Sequence, residues 1–183
     1  ISQIFNLYIN VAETTTAGVD LEASYRQPIE LLGGGDEMVT IRLFANYLDE
    51  VTSALVGERV VNDAGELNYS KWLANASLSY VNGPFSANLQ TRFIGKSVRD
   101  VLWVEGIDIE DNDVDSITYT NMNLAYNFEW ASGNSGQVYF FVGNLFDKDP
   151  PLVPGGIGLT TGTAAHTNNG LFDTLGRTYS AGF

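Results

Sequence analysis

Between Asp100 and Asp115 the chain places seven acidic residues, Asp100, Glu105, Asp108, Glu110, Asp111, Asp113 and Asp115, and no basic one. Alternate carboxylates supply hard oxygen ligands, and Asp111-Asn112-Asp113-Val114-Asp115 has the spacing with which a calcium loop begins. The remainder of such a loop is missing: Ser116 stands where the turn glycine belongs and Met122 where the bidentate glutamate belongs. The expectation for Asp111, Asp113 and Asp115 is therefore a solvated acidic loop in loose contact with cations, not a built metal site. Gly155 to Gly162 is glycine-rich like a phosphate cradle, but a proline precedes it, and neither a lysine nor a helical pattern accompanies it. It reads as a flexible external loop. His166 lies among Thr167, Asn168 and Asn169, and Tyr69 and Trp103 fall in long connections where their rings can stack on a ligand. These three residues are the candidate ligand contacts. With a single histidine and no nucleophile motif, no Ser-His-acid grouping can be assembled, so the chain is read as no enzyme and without a cofactor.

Composition narrows the classes further. Nine basic residues against twenty-two acidic ones in 183 give a net charge of −13, which is the wrong sign for a nucleic-acid partner. The absence of cysteine removes disulfides, thiolate metal sites and thiol chemistry. No run of about eighteen apolar residues marks a membrane helix, and Ile1 to Val11 lacks the basic start and small-residue cleavage site of a secretory signal.

The elements that must carry these residues are strands. Thr15, Ala17, Val19, Leu21, Ala23 and Tyr25 alternate with Thr16, Gly18, Asp20, Glu22, Ser24 and Arg26, a period of two that belongs to β-structure. The same split runs through Val39 to Tyr47, Trp72 to Tyr80, Phe85 to Phe93 and Asn121 to Glu129. Across these five segments one face carries no charge, whereas the other carries Asp20, Glu22, Arg26, Arg42, Arg92 and Glu129, with Gln90 among them. Phe5 to Val11, Val138 to Leu145 and Leu175 to Phe183 fit less cleanly and bring the expected count to eight strands. Helical period is nowhere sustained. The class is all-β and antiparallel, joined by hairpins.

Alternation is shared by soluble sandwiches and membrane barrels. Strands of ten or more residues suit the ~9–11 tilted residues that cross a bilayer, and aromatics such as Tyr25, Tyr47, Trp72, Tyr80, Phe85, Phe128 and Trp130 gather near strand ends, as in an interfacial girdle. Connections also alternate: Gln27 to Asp36, Val81 to Pro84 and Ala131 to Gly136 are short, while Asp49 to Ser70, Gly95 to Ser116 and Asp147 to Thr174 are long. Short periplasmic turns opposite long external loops are the pattern of an outer-membrane barrel. A connection at Glu13 and Thr14 is the exception, being short on the long-loop side. A transmembrane antiparallel β-barrel is the expected fold, and a glycan-binding β-sandwich is the soluble alternative.

The C-terminal third narrows the barrel to a family. Val142-Gly143-Asn144-Leu145-Phe146-Asp147-Lys148-Asp149-Pro150-Pro151, followed by Phe172-Asp173-Thr174-Leu175-Gly176-Arg177-Thr178-Tyr179, resembles the end of a TonB-dependent outer-membrane receptor. Ala17-Gly18-Val19-Asp20-Leu21-Glu22 resembles a recurrent strand of the same family. The resemblance implies a barrel of about 22 strands, of which residues 1–183 would be the last eight, with the plug domain and earlier strands outside this sequence. It implies a Gram-negative outer-membrane location, contact with lipid and lipopolysaccharide, and partnership with the protein's own plug and the TonB energising complex. The implied activity is uptake of a scarce small molecule, most often a ferric siderophore, with cobalamin, haem and oligosaccharides as other classes. Asp20, Glu22, Arg26, Arg42, Gln90 and Arg92 would then face the lumen and the plug. A self-contained small barrel with a structural or adhesive role is the competing membrane reading.

Overall fold

The computed structural model describes residues 13–33, 36–54, 59–130, 133–153 and 167–183. Among them no helix occurs; ten strands run β1 (Glu13–Pro28), β2 (Glu37–Ala54), β3 (Val61–Asn62), β4 (Trp72–Asn82), β5 (Phe85–Ile94), β6 (Ser97–Val98), β7 (Asp113–Val114), β8 (Ile117–Glu129), β9 (Ser135–Gly143) and β10 (Thr178–Gly182). The main sheet is an antiparallel meander in the order β1-β2-β4-β5-β8-β9-β10, with β3 appended to β2, and β6 and β7 form a separate ribbon. The sheet therefore has eight strands, but the eighth is the two-residue β3; Phe5 to Val11 lies outside the described residues. β1 and β10 do not pair with each other. A sandwich needs a second sheet over the first, and among the described residues only the short β6-β7 ribbon is separate from the main sheet.

Register turns the strand patterns into two continuous faces, because directly opposed residues share a side. On the apolar face the rows run Val19, Tyr47, Trp72; Leu21, Ala45, Ala74, Phe93; and Tyr25, Ile41, Leu78, Leu89, Met122, Val142, Tyr179. Among the described residues the β1 side of this face is open, with Val19 65% exposed, Leu21 55% and Tyr25 59%, whereas Val142 near the other edge is 3% exposed. The hydroxyls of Thr91 and Thr120, which oppose each other on this face, share a hydrogen bond of 3.1 Å, so that one of the two donates to the other instead of to a partner outside the wall.

Several boundaries differ from the sequence expectation, each for a local reason. Glu13 and Thr14 are not a connection but strand residues opposite Ala54 and Ser53, and β2 runs past Asp49 to Ala54. The register shifts between Ala17 and Gly18, where Ala17 faces Glu50 and Gly18 faces Leu48. This bulge adds one residue to β2 and reverses its alternation, so Leu48-Asp49-Glu50 does not read as a strand. Gly18 fits the bulge because a Cβ there would meet the Tyr47 carbonyl oxygen at 2.4 Å. β9 begins at Ser135 and stops at Gly143, before Asn144 with φ 48°. β10 starts only at Thr178, after Gly176 with φ 71°.

The buried core is not between layers. It consists of Leu67, Ile94, Val114, Tyr119, Val153 and Phe172, with Leu73, Ile117 and Leu171 packed against it. Leu73, Ile94, Ile117 and Tyr119 occupy the long-loop ends of the same face that lower down carries Asn75, Ser77, Gln90 and Arg92. The loops supply the remaining side chains and cover this end of the sheet.

Candidate functional site

The polar face gathers the six residues expected there. Asp20 opposes Asn46, Glu22 opposes Phe44, Ser24 opposes Arg42 and Arg26 opposes Thr40; Arg42 continues across to Ser77 and Gln90, and Asn75 leads to Arg92. Glu22, Arg42, Phe44, Asn75, Ser77 and Gln90 line a shallow recess of about 180 Å³. The face is hydrogen-bonded laterally: Asn46 Nδ2 donates to Asp20 Oδ1 at 2.6 Å, and Asn88 Nδ2 to Ser79 Oγ at 2.7 Å. Among the described residues Asp20, Glu22, Arg26 and Arg42 enter no ion pair. Arg92 differs from the rest, because its Nη2 donates at 3.2 Å to the carbonyl oxygen of Leu171, in the connection between β9 and β10.

Above this face the loops form a joined layer. Glu66 bridges to Val98, its Oε1 accepts the Val101 amide at 3.0 Å, and Gly65 O accepts the Val98 amide at 2.8 Å. These bonds tie the loop that carries Tyr69 to the one that carries Trp103. Trp103 is half-buried under the Arg99 guanidinium, 5.7 Å from the ring centroid, a cation–π contact; Tyr69 is exposed. His166 and the glycine-rich Gly155 to Gly162 lie outside the described residues. Asn112, 6% exposed, organises the acidic loop: its Nδ2 donates to the Asp100 carbonyl at 2.8 Å while its Oδ1 accepts the Asp100 amide at 3.2 Å.

The carboxylates brought together are Glu105, Asp111 and Asp113, whose oxygens lie within 4.8 Å of one another; Asp115 is not in the group. Each already has an internal donor. Glu105 Oε1 accepts the Asn112 amide at 3.1 Å, Asp111 Oδ1 accepts the Asp113 amide at 2.9 Å, and Asp113 Oδ2 pairs with Lys96 Nζ at 2.6 Å. The hydrogen bond that Lys96 donates to Asp113, and then the charge of Asp113, raises the Lys96 ammonium above its ordinary pKa. A lysine supplies the positive charge that the loop's carboxylates attract.

The motif pair of the C-terminal third is a clasp. Asn144, 1% exposed, accepts the Lys148 amide on Oδ1 and donates from Nδ2 to the Lys148 carbonyl, both at 2.9 Å, while its own amide donates to Asn121 Oδ1 at 2.9 Å. A short amide side chain that tolerates positive φ is what this corner requires. Asp147 Oδ1 accepts the Arg177 amide at 2.8 Å and its Oδ2 stands 3.9 Å from the guanidinium. Gly176 leaves room for that carboxylate, since a Cβ would come within 3.2 Å of Asp147 Oδ1. The clasp closes the β9-β10 connection at its base. The sequence pattern flagged these residues without their roles; it took Asn112 only as part of a calcium-loop spacing and did not flag Glu37, because bonds to backbone groups of other segments leave no trace in side-chain periodicity.

One uninterrupted meander with a polar face and an apolar face whose charged residues, Glu13, Glu37 and Glu50, fall only towards the strand ends is the wall of a transmembrane antiparallel β-barrel. The chain matches the family described as TonB dependent receptor-like, beta-barrel, over residues 1–145. It belongs to that family, whose members are outer-membrane receptors and transporters, not enzymes, and work with a plug domain and the TonB system. The match ends at Leu145, so the Arg177 half of the clasp lies beyond it. No curated protein and no solved structure matches the chain.

Proposed function

We propose that residues 1–183 form the last eight strands of a barrel of about 22, in a receptor that captures a scarce solute with its external loops and admits it past a TonB-driven plug. The apolar face meets lipid. Trp72 and Tyr80 stand at opposite ends of that face on β4; at ~3.3 Å per residue and a tilt of ~40° they are separated by roughly 20 Å of height, near the ~25 Å apolar band of such barrels. The polar face lines the lumen, where Asp20, Glu22, Arg26, Arg42, Gln90 and Arg92 contact the plug.

The observation that carries this reading is the recess at Glu22, Arg42 and Gln90, where charged groups that form no ion pair among the described residues stand on a polar wall. Charges left unpaired within the wall are available to an insert. In the full-length receptor, a cysteine at Arg42 is expected to cross-link to cysteines placed on the plug, and locking the two is expected to abolish uptake; cross-links that form only to lipid-exposed sites overturn the assignment of faces. Ferric siderophore is the leading substrate class. Expression and uptake that rise under iron limitation support it, and indifference to iron moves the assignment to cobalamin or carbohydrate. Tyr69, Trp103 and His166 are the loop residues whose substitution is expected to weaken capture, and loose cation contact at Asp111, Asp113 and Asp115 would engage lipopolysaccharide-bound ions.

A further inference from the structure

The connection between β1 and β2 is built unlike a simple hairpin turn. Glu37, the first residue of β2, is two positions before Val39 and so lies on the apolar face, yet it is only 2% exposed. Its carboxylate is fully engaged: Oε2 accepts the Leu31 amide at 2.9 Å and the Tyr80 hydroxyl at 3.0 Å, and Oε1 accepts the Leu32 amide at 2.9 Å. Asn82 Nδ2 in turn donates to the Tyr80 hydroxyl at 3.2 Å. An acid on the outer face that takes two successive amides draws the turn against that face, at the level of the Tyr80 ring. With both amides held, the side chains of Leu31 and Leu32 project from the turn and are 74% and 71% exposed. The neighbouring connection at Gly83 and Pro84 is two residues long and has no comparable pair.

We propose that this turn is a lipid anchor, in which Leu31 and Leu32 enter the hydrocarbon boundary of the periplasmic leaflet and the Glu37 carboxylate fixes them there. The inference rests on the apolar face being the lipid face. What selects lipid as the occupant is continuity: the turn abuts the end of the wall marked by Tyr80 and Phe85, whose rings are 6.3 Å apart, and amphipathic rings of this kind sit at the headgroup level. Glu30 and Asp36, both exposed, flank the leucines and hold the turn at that boundary instead of deeper. An aliphatic pair at the membrane edge resists vertical sliding of the wall, the motion that a pulled plug would otherwise transmit.

The test uses the full-length receptor in phosphatidylethanolamine–phosphatidylglycerol vesicles, with any cysteine outside this chain replaced; the chain itself has none. Nitroxide labels at Leu31→Cys and Leu32→Cys are expected to collide with oxygen more than with a water-soluble nickel chelate, as at Leu21→Cys on the wall. Glu37→Ala is expected to shift the turn labels several-fold towards the nickel chelate and leave the Leu21 label unchanged. Nickel accessibility at the turn equal to that of Leu102→Cys in the long β5-β8 connection, with Leu21 still in lipid, overturns the anchor alone. Water access at Leu21 as well overturns the assignment of the lipid face beneath it. Turn labels in lipid but unmoved by Glu37→Ala overturn the role given to Glu37.

Discussion

The polar face of the sheet behaves as two regions. At its long-loop end Leu73, Ile94, Ile117 and Tyr119 are sealed by Leu67, Val114, Val153 and Phe172; a few residues below, Asn75, Ser77, Gln90 and Arg42 stand around an open recess. Strand periodicity is identical at both levels. What differs is the residue type at these positions, apolar at the loop end and polar below, together with the loops that bring apolar side chains to cover the upper level. In a wall one strand thick there is no second layer, so a buried core exists only where connections fold back, and the middle level is left polar and free for another partner.

Substitutions can break this contrast. Ile94→Ala, in a side chain 1% exposed, is expected to cost about 2–4 kcal/mol and to loosen the loop layer, seen as a lower unfolding midpoint and faster proteolysis in the loops, whereas Ser77→Ala in the open recess should move either by less than about 0.5 kcal/mol. Equal effects at the two positions would mean that the core does not stabilise the loops. Gly18→Val tests the bulge that lets β2 extend to Ala54: with a Cβ 2.4 Å from the Tyr47 carbonyl oxygen, backbone must shift, at a cost of about 1–3 kcal/mol in urea unfolding. Asn144→Ala, at the base of the last connection, removes both bonds to Lys148 and should lose about 1–3 kcal/mol; wild-type midpoints would show that the clasp does not hold. Arg92→Met frees the Leu171 carbonyl and should cost about 1 kcal/mol, visible as cleavage near Leu171, while Arg42→Met leaves the loops unchanged.

The smallest expected effect is at the exposed Lys96–Asp113 pair. Because the Lys96 pKa is raised in the folded state, its contribution is present while lysine is charged and is lost as pH rises through that raised value. Lys96→Gln should therefore lower the unfolding midpoint only slightly near neutrality, and even that difference from wild type should vanish as pH rises through the raised Lys96 value. A shift of several degrees at neutral pH would make this ion pair a structural element of the loop layer.

The parts legible beforehand were those that obey a period. Five strands, their two faces and the position of Asp20, Glu22, Arg26, Arg42, Gln90 and Arg92 on one of them all follow from alternation, because a strand's side chains can point only two ways. The Asn144–Asp147 and Gly176–Arg177 pattern was visible as a resemblance, but that it is a hydrogen-bonded clasp was not. Illegible features were of one kind. The bulge at Gly18, the gathering of Glu105 with Asp111 and Asp113 without Asp115, and Arg92 reaching Leu171 all depend on residues distant in sequence meeting in space.

The amino-acid order by itself determined the strand class, the apolar face and the family, since each resides in local spacing and in short runs of residue types. The tertiary structure alone decided which level of the polar face is covered, that Lys96 answers the acidic loop, and that Glu37 draws the β1-β2 connection onto the apolar face. Burial and hydrogen bonding are properties of neighbours, and neighbours across a sheet or between loops are set by the folded chain.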